Sequence, residues 1–167
     1  MLNYSVAELR YNKKTKVLQH SFDRLVTFNR PPYLINYNGP LKPEGFKCGQ
    51  FDMDADSIVF ITSDALAHYV MMMYEASKRE YYGSELEEAI KVNSKNSNAI
   101  RTALAIKSFD FEKDVLQKLI RCVNNKRNYR LHVESLKRKG LLMEDDYSMV
   151  CLHRNGCNTT NIKTERC

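Results

Sequence analysis

The residues best suited to chemistry in this chain are aspartates at the ends of two apolar runs. Ser57-Ile58-Val59-Phe60-Ile61-Thr62-Ser63 leads straight into Asp64-Ala65-Leu66-Ala67. Far along the chain the order is reversed, and Glu144-Asp145-Asp146 opens Tyr147-Ser148-Met149-Val150-Cys151-Leu152. A carboxylate at the exit of one strand and another at the entrance of a second can meet at one sheet edge. Hard divalent cations such as Mg²⁺ and Mn²⁺ take carboxylate oxygens and keep several waters, so two or three aspartates suffice to hold one. A pair of such ions can bridge a phosphate and make a bound water nucleophilic at neutral pH. Asp64, Asp145 and Asp146 are therefore the candidate metal ligands. Each also has a plainer role: Ser63 or Asp64 suits a helix N-cap, and Asp145-Asp146 suits a solvated turn. Asp52, Asp54 and Asp56 read as ordinary loop acids, and no catalytic side chain stands out.

Rigid elements must position these acids. The run Ser57 to Ser63 is continuous, β-branched and too apolar for an exposed face, which predicts a buried central strand. A helix follows, with Leu66, Tyr69, Val70, Met73 and Ser77 on one face and Met71 to Met73 as core filling. Gly83-Ser84 is expected to break it, with a restart over Glu85 to Val92. Asn93 to Asn98 reads as a polar linker and Ala99 to Ile106 as a short helix. Asp110 can cap a helix running to Asn124, with Val115, Leu119 and Cys122 on one stripe. Arg127 to Lys139 is a weaker helix, with Tyr129, Val133 and Leu136 inward and Gly140 at its end. Upstream, Leu2 to Tyr11 and Lys16 to His20 predict a hairpin around Asn12 to Thr15. Leu25 to Phe28 and Tyr33 to Tyr37 are β-rich, and Asn38 to Gly49 is a loop by composition. Strands, a helical block and one returning strand together predict an α+β fold with helices packed on one sheet face.

Composition is that of an ordinary globular domain: 43% hydrophobic and 28% charged residues allow a core without disulfides. No apolar run is long enough to cross a membrane, and the N-terminus lacks the basic and apolar regions of a secretory signal. A cytoplasmic location with no membrane partner is expected. Five cysteines contain no Cys-x-x-Cys pair. The loose group Cys151, His153 and Cys157 lacks a fourth zinc ligand, so reduced thiols are expected, with Cys122 and Cys151 in the core. Seven basic residues lie between Arg121 and Lys139 against Glu134 alone. They suit a solvated helix face, or an acidic or nucleic-acid partner. Few aromatics interleave with them and no reader motif is present, which disfavours nucleic acid.

The segment Asp56 to Leu66 resembles the "D-x-hydrophobic strand-[ST]-D-[GA]-L" motif of the metal-dependent, type 2C (PPM-like) protein serine/threonine phosphatases. Thr62-Ser63-Asp64-Ala65-Leu66-Ala67 is similar to the "TDALA" form of bacterial members. Leu141 to Val150 resembles the closing "D-[DN]-x-[ST]-hydrophobic" strand, and Phe28 to Ile35 the stretch upstream of the first motif. The resemblance implies part of a layered α-β-β-α sandwich over residues 1–154. Residues 155–167 are polar and without a period, which predicts a disordered or vector-derived tail. It also implies Mg²⁺ or Mn²⁺ held by Asp64 and Asp145, less strongly by Asp146, and hydrolysis of phosphoserine or phosphothreonine when the domain is complete. The chain has no Asp-Gly dipeptide, so the family's N-terminal metal motif is missing and only the C-terminal half is represented. Inactivity alone, weak metal binding, and either a complementary protein segment or a second copy as partner are the expectations, beside a phosphoprotein substrate. A non-catalytic phosphatase-like scaffold that binds a protein is the alternative.

Overall fold

The computed structural model describes residues 6–21, 24–26, 53–92 and 95–153. The expected strand at Tyr33 to Tyr37, the loop from Asn38 to Gly49, the Phe28 to Ile35 stretch, Asp52, Cys48, Cys157, Cys167 and the tail from Asn155 lie outside the described residues.

Among the described residues four antiparallel strands form one sheet in the order β2-β1-β3-β4: β1 is Val6–Asn12, β2 Val17–His20, β3 Ser57–Ser63 and β4 Met149–His153. The hairpin β1–β2 closes through the Asn12 side chain, whose Oδ1 accepts from the amides of Lys14 and Thr15. Lys16 then takes a left-handed φ of 58° to re-enter the sheet. The central strand is β3, with Phe60 opposite Leu9 on one side and Cys151 on the other. Because side chains alternate across a strand, Leu9, Tyr11, Ile58, Phe60 and Cys151 share one face. The helices cover that face: Leu9, Tyr11, Ile58 and Phe60 are buried in the core and Cys151 packs against it. Burying a side chain of that size contributes about 1.5–3 kcal/mol. On the opposite face Ile61, Val150 and Leu152 are exposed.

Among the described residues five α-helices make up the second layer: α1 Asp64–Ser77, α2 Arg79–Val92, α3 Ser97–Ala105, α4 Gln117–Val123 and α5 Lys126–Arg138. The mixture of one antiparallel sheet with a block of helices is the α+β class expected. Helix α1 differs from its expected one-sided burial: every residue from Leu66 to Ala76 is buried. It lies between the sheet and the surrounding helical segments, so its polar His68 and Glu75 are buried along with Met71, Met72 and Met73. The break expected at Gly83-Ser84 occurs instead at Lys78, and α2 runs unbroken through Gly83. A glycine costs a helix only about 1 kcal/mol, and a Cβ at Gly83 would meet nothing within 4 Å, so packing does not require a turn there. Leu25 and Val26 lie in a short 3₁₀ turn where β structure was expected.

Asp110 does cap the next helix, accepting from the Lys113 amide at 2.9 Å, but Phe111–Leu116 winds as a π-helix before α4. Phe111 and Val115 are buried there, with the Phe111 ring edge-on to Tyr11 and Tyr74. Helix α5 ends in a Schellman turn: the Leu141 amide donates to the Leu136 carbonyl, the Gly140 amide to Lys137, and Gly140 supplies φ 71°. This turn puts Leu141 and Leu142 into the core and aims the chain at the β4 entrance. Among the described residues no helix is long and apolar enough to cross a membrane.

Candidate functional site

The exit of β3 and the entrance of β4 are joined just beyond their last register pair, Thr62 with Met149. The Ser63 amide donates to the Ser148 carbonyl at 3.0 Å, and the Ser148 amide donates to Ser63 Oγ at 3.3 Å. Ser63 occupies the α1 N-cap position but its side chain makes no capping bond, because that oxygen faces the Ser148 amide. Asp64 is consequently the first residue of α1 and not its cap. One carboxylate oxygen accepts from the next amide, Ala65, at 2.8 Å, and the acid sits where the helix dipole favours negative charge.

This clamp brings both acids to one cleft of about 110 Å³, lined by Asp64, His68, Lys95, Asn96, Asp145 and Tyr147 with an apolar floor from Ala99 and Leu141 to Met143. Asp64 is half-buried and Asp145 exposed. Among the described residues neither forms an ion pair. Asp146 does not line the cleft; its amide turns back to Asp145 Oδ1 at 2.8 Å. Among the described residues no group of three or more His, Cys, Asp or Glu side chains is placed to hold a metal ion. The structure thus assembles two of the three candidate ligands.

The loop that carries Asp145 is held from both ends. Tyr147 donates its hydroxyl to the Met143 carbonyl, which closes the loop on itself. From α5, Lys137 reaches Glu144 at 2.8 Å and Glu134 at 3.7 Å and lies 5.5 Å from the Tyr147 ring centre. Burial, helped by Asp145 and Glu144, pushes the Tyr147 phenol up to about 12, so it stays protonated. Lys137 is therefore a positioning residue within the basic stretch, whereas Lys126, Arg127, Arg130, Arg138 and Lys139 are exposed.

His68 went unnoticed in the sequence although it stands one helical turn after Asp64, the spacing at which side chains share a helix face. It is buried, and burial pushes its imidazole down to about 4, so it is neutral at physiological pH. Lys95 and Asn96 carried no signal beyond a polar linker; only the tertiary fold brings them to the cleft. Of the other candidate cluster, only Cys151 and His153 lie within the described residues. Cys151 and His153 alternate onto one face of β4, but the Cys151 thiol is half-buried against the core and pushed up to about 11 by burial. Cys122 is buried, and both thiols are free.

No protein-family model, curated protein or solved structure matches the chain.

Proposed function

We propose that this chain is the C-terminal part of a metal-dependent, type 2C-like protein phosphatase domain, cytoplasmic and inactive on its own. The observation that carries the reading is the meeting of Asp64 and Asp145 in one cleft, across strands β3 and β4 that pair directly. Two carboxylates that pair with no basic side chain among the described residues, on a rigid strand-to-helix corner and a tethered loop, suit a hard divalent cation that retains most of its waters. Asp64 and Asp145 would hold Mg²⁺ or Mn²⁺, and the ion would supply Lewis-acid activation of water and phosphate. A site with so few protein ligands binds weakly.

The same reading accounts for the exposed apolar residues on the face away from the helices, Ile61, Val150 and Leu152. In a layered sandwich a second sheet covers such a face, and here it belongs to the complementary segment that also supplies the remaining ligands. Phosphoserine- or phosphothreonine-bearing protein is the proposed substrate of the completed domain. Titration of Mn²⁺ into the chain by calorimetry tests the assignment. Weak binding that Asp64→Ala abolishes and Asp146→Ala leaves intact supports it; binding indifferent to Asp64→Ala leaves only an inert scaffold.

A further inference from the structure

We propose that β4 pairs edge to edge with the β4 of a second copy of this chain, joining the two sheets into one across a two-fold axis at Cys151. The assignment stands on the sheet alone and is independent of the metal reading. In the order β2-β1-β3-β4 the outer side of β4 is an edge. Along an antiparallel strand, successive residues turn their amide and carbonyl groups to opposite sides. The Ser63 amide donates to the Ser148 carbonyl, so in the register of β3 with β4 the pairs Ile61–Val150 and Val59–Leu152 also bond inward. Met149, Cys151 and His153 therefore turn their amides and carbonyls outward, and among the described residues no backbone hydrogen bond reaches them.

Natural proteins guard such an edge with lysine, proline or a bulge. β4 reads Met-Val-Cys-Leu-His and pairs with β3 in unbroken register, so it has none of the three. The strand that fits β4 is β4 itself. Antiparallel pairing centred on Cys151 sets Met149 against His153 and Cys151 against Cys151, which engages every outward amide and carbonyl at once. Val150 then stands against Leu152 of the second copy as a non-hydrogen-bonded pair, the closer of the two kinds. Both side chains are exposed on the same face as Ile61, so two apolar patches merge across the axis, and no carboxylate, lysine or arginine lies in the paired segment. The other face gains as well. Phe60 is fully buried, whereas Met149 and its neighbour Cys151 at the rim of the core are only half-buried, and a second sheet at the edge covers them. Two five-residue strands make an interface below the roughly 1,200 Å² of standard complexes, so the dimer is weak and depends on concentration.

The experiment is sedimentation equilibrium of the full chain under reducing conditions, up to about 1 mM. Wild type is compared with Ile61→Lys and with a double variant carrying Val150→Lys and Leu152→Lys, thermal melts confirming that each folds. Wild type should dimerise as its concentration rises. The double variant sets like charges directly opposite each other across the axis and should raise the dissociation constant about tenfold or more. Ile61→Lys lies on the same face but one strand in from the edge, and should change it by less than about threefold. Register is read by mild oxidation of an equimolar mixture of Val150→Cys and Leu152→Cys chains. The Cα atoms of a non-hydrogen-bonded pair are about 4.5 Å apart, within disulfide reach, so peptide mass spectrometry should find positions 150 and 152 of different chains linked. A chain that stays monomeric throughout, or a dimer indifferent to the double variant, overturns the proposal. So does a dimer that Ile61→Lys weakens equally, which marks sheets stacked face to face, or the absence of the mixed disulfide.

Discussion

Raising the pH from 6.5 to 8 should destabilise the protein, and Glu75→Gln should abolish the effect. Glu75 lies in the buried stretch of helix α1 with 4% of its surface exposed, and among the described residues one of its carboxylate oxygens has no hydrogen-bond partner. Burial pushes the carboxyl up to about 8, with Glu85 adding to the shift and Arg24 opposing it. Arg24 is already committed to Glu85 at 3.0 Å and Glu88 at 2.6 Å. In the unfolded chain the same carboxyl ionises near its ordinary 4.5. Between these values the folded state holds the extra proton, so stability falls as pH rises, by about 1.4 kcal/mol per unit. His68 acts in the opposite sense, because its imidazole is pushed down from 6.5 to about 4 and the unfolded chain holds the extra proton between those values. His132, also lowered by burial and by Lys118 and Lys139, adds to His68. Below pH 6.5 the opposing slopes largely cancel. Above it Glu75 acts alone, and the chain should lose about 2 kcal/mol by pH 8. Urea unfolding followed by far-ultraviolet circular dichroism, at pH steps from 5 to 8.5, measures this as a falling midpoint. In Glu75→Gln the midpoint should rise to pH 6.5 and then stay level. A wild-type midpoint that is flat above pH 6.5, or a fall shared by Glu75→Gln, refutes the reasoning.

Three further outcomes follow from the packing. Phe60→Ala empties the centre of the sheet face under α1 and should cost about 3–5 kcal/mol in urea unfolding; a loss under 1 kcal/mol contradicts the burial described. Gly140→Ala should cost about 1 kcal/mol, because φ is 71° although a Cβ there meets nothing closer than Thr102 Oγ1 at 3.6 Å. An unchanged midpoint would mean that α5 does not end in the Schellman turn. Cys151, with its thiol pushed up to about 11, should react with iodoacetamide at neutral pH far more slowly than a free thiol of ordinary acidity. Mass spectrometry of timed samples reads this, and rapid labelling of Cys151 in the folded chain speaks against its burial.

Local signals were legible where a single residue type decides the backbone. Asn12 at the hairpin turn, Asp110 at the head of the π-helical segment and Gly140 after α5 each make the bonds their chemistry predicts. The apolar run from Ser57 to Ser63 was long enough to announce a central strand with Asp64 at its exit, and Asp145 followed from the entrance of the later run Tyr147 to Leu152. Other features depend on what lies nearby in space. Gly83 stays helical because neighbouring turns hold α2 together, and no local pattern distinguishes that from a break. Helix α1 reads as one-sided in sequence, yet it is enclosed by elements that its own periodicity cannot reveal. Lys95 joins the acids only after α1, α3 and the turn after α5 have packed, so its place in the cleft was not visible from spacing, whereas His68, one turn after Asp64 on α1, was. Asp146 shows the converse: adjacency to Asp145 made it a candidate, and the turn of the loop keeps it off the cleft wall.

The direct test of a shared metal site is a Mn²⁺ titration, read by electron paramagnetic resonance of the free ion, on wild type, Asp64→Asn, Asp145→Asn and the double variant. If both carboxylates hold one ion, each single substitution should weaken binding nearly as much as the double, because either loss breaks the same site. Independent, additive effects, or Mn²⁺ binding that survives in the double variant, would contradict a site built from the exit of β3 and the entrance of β4.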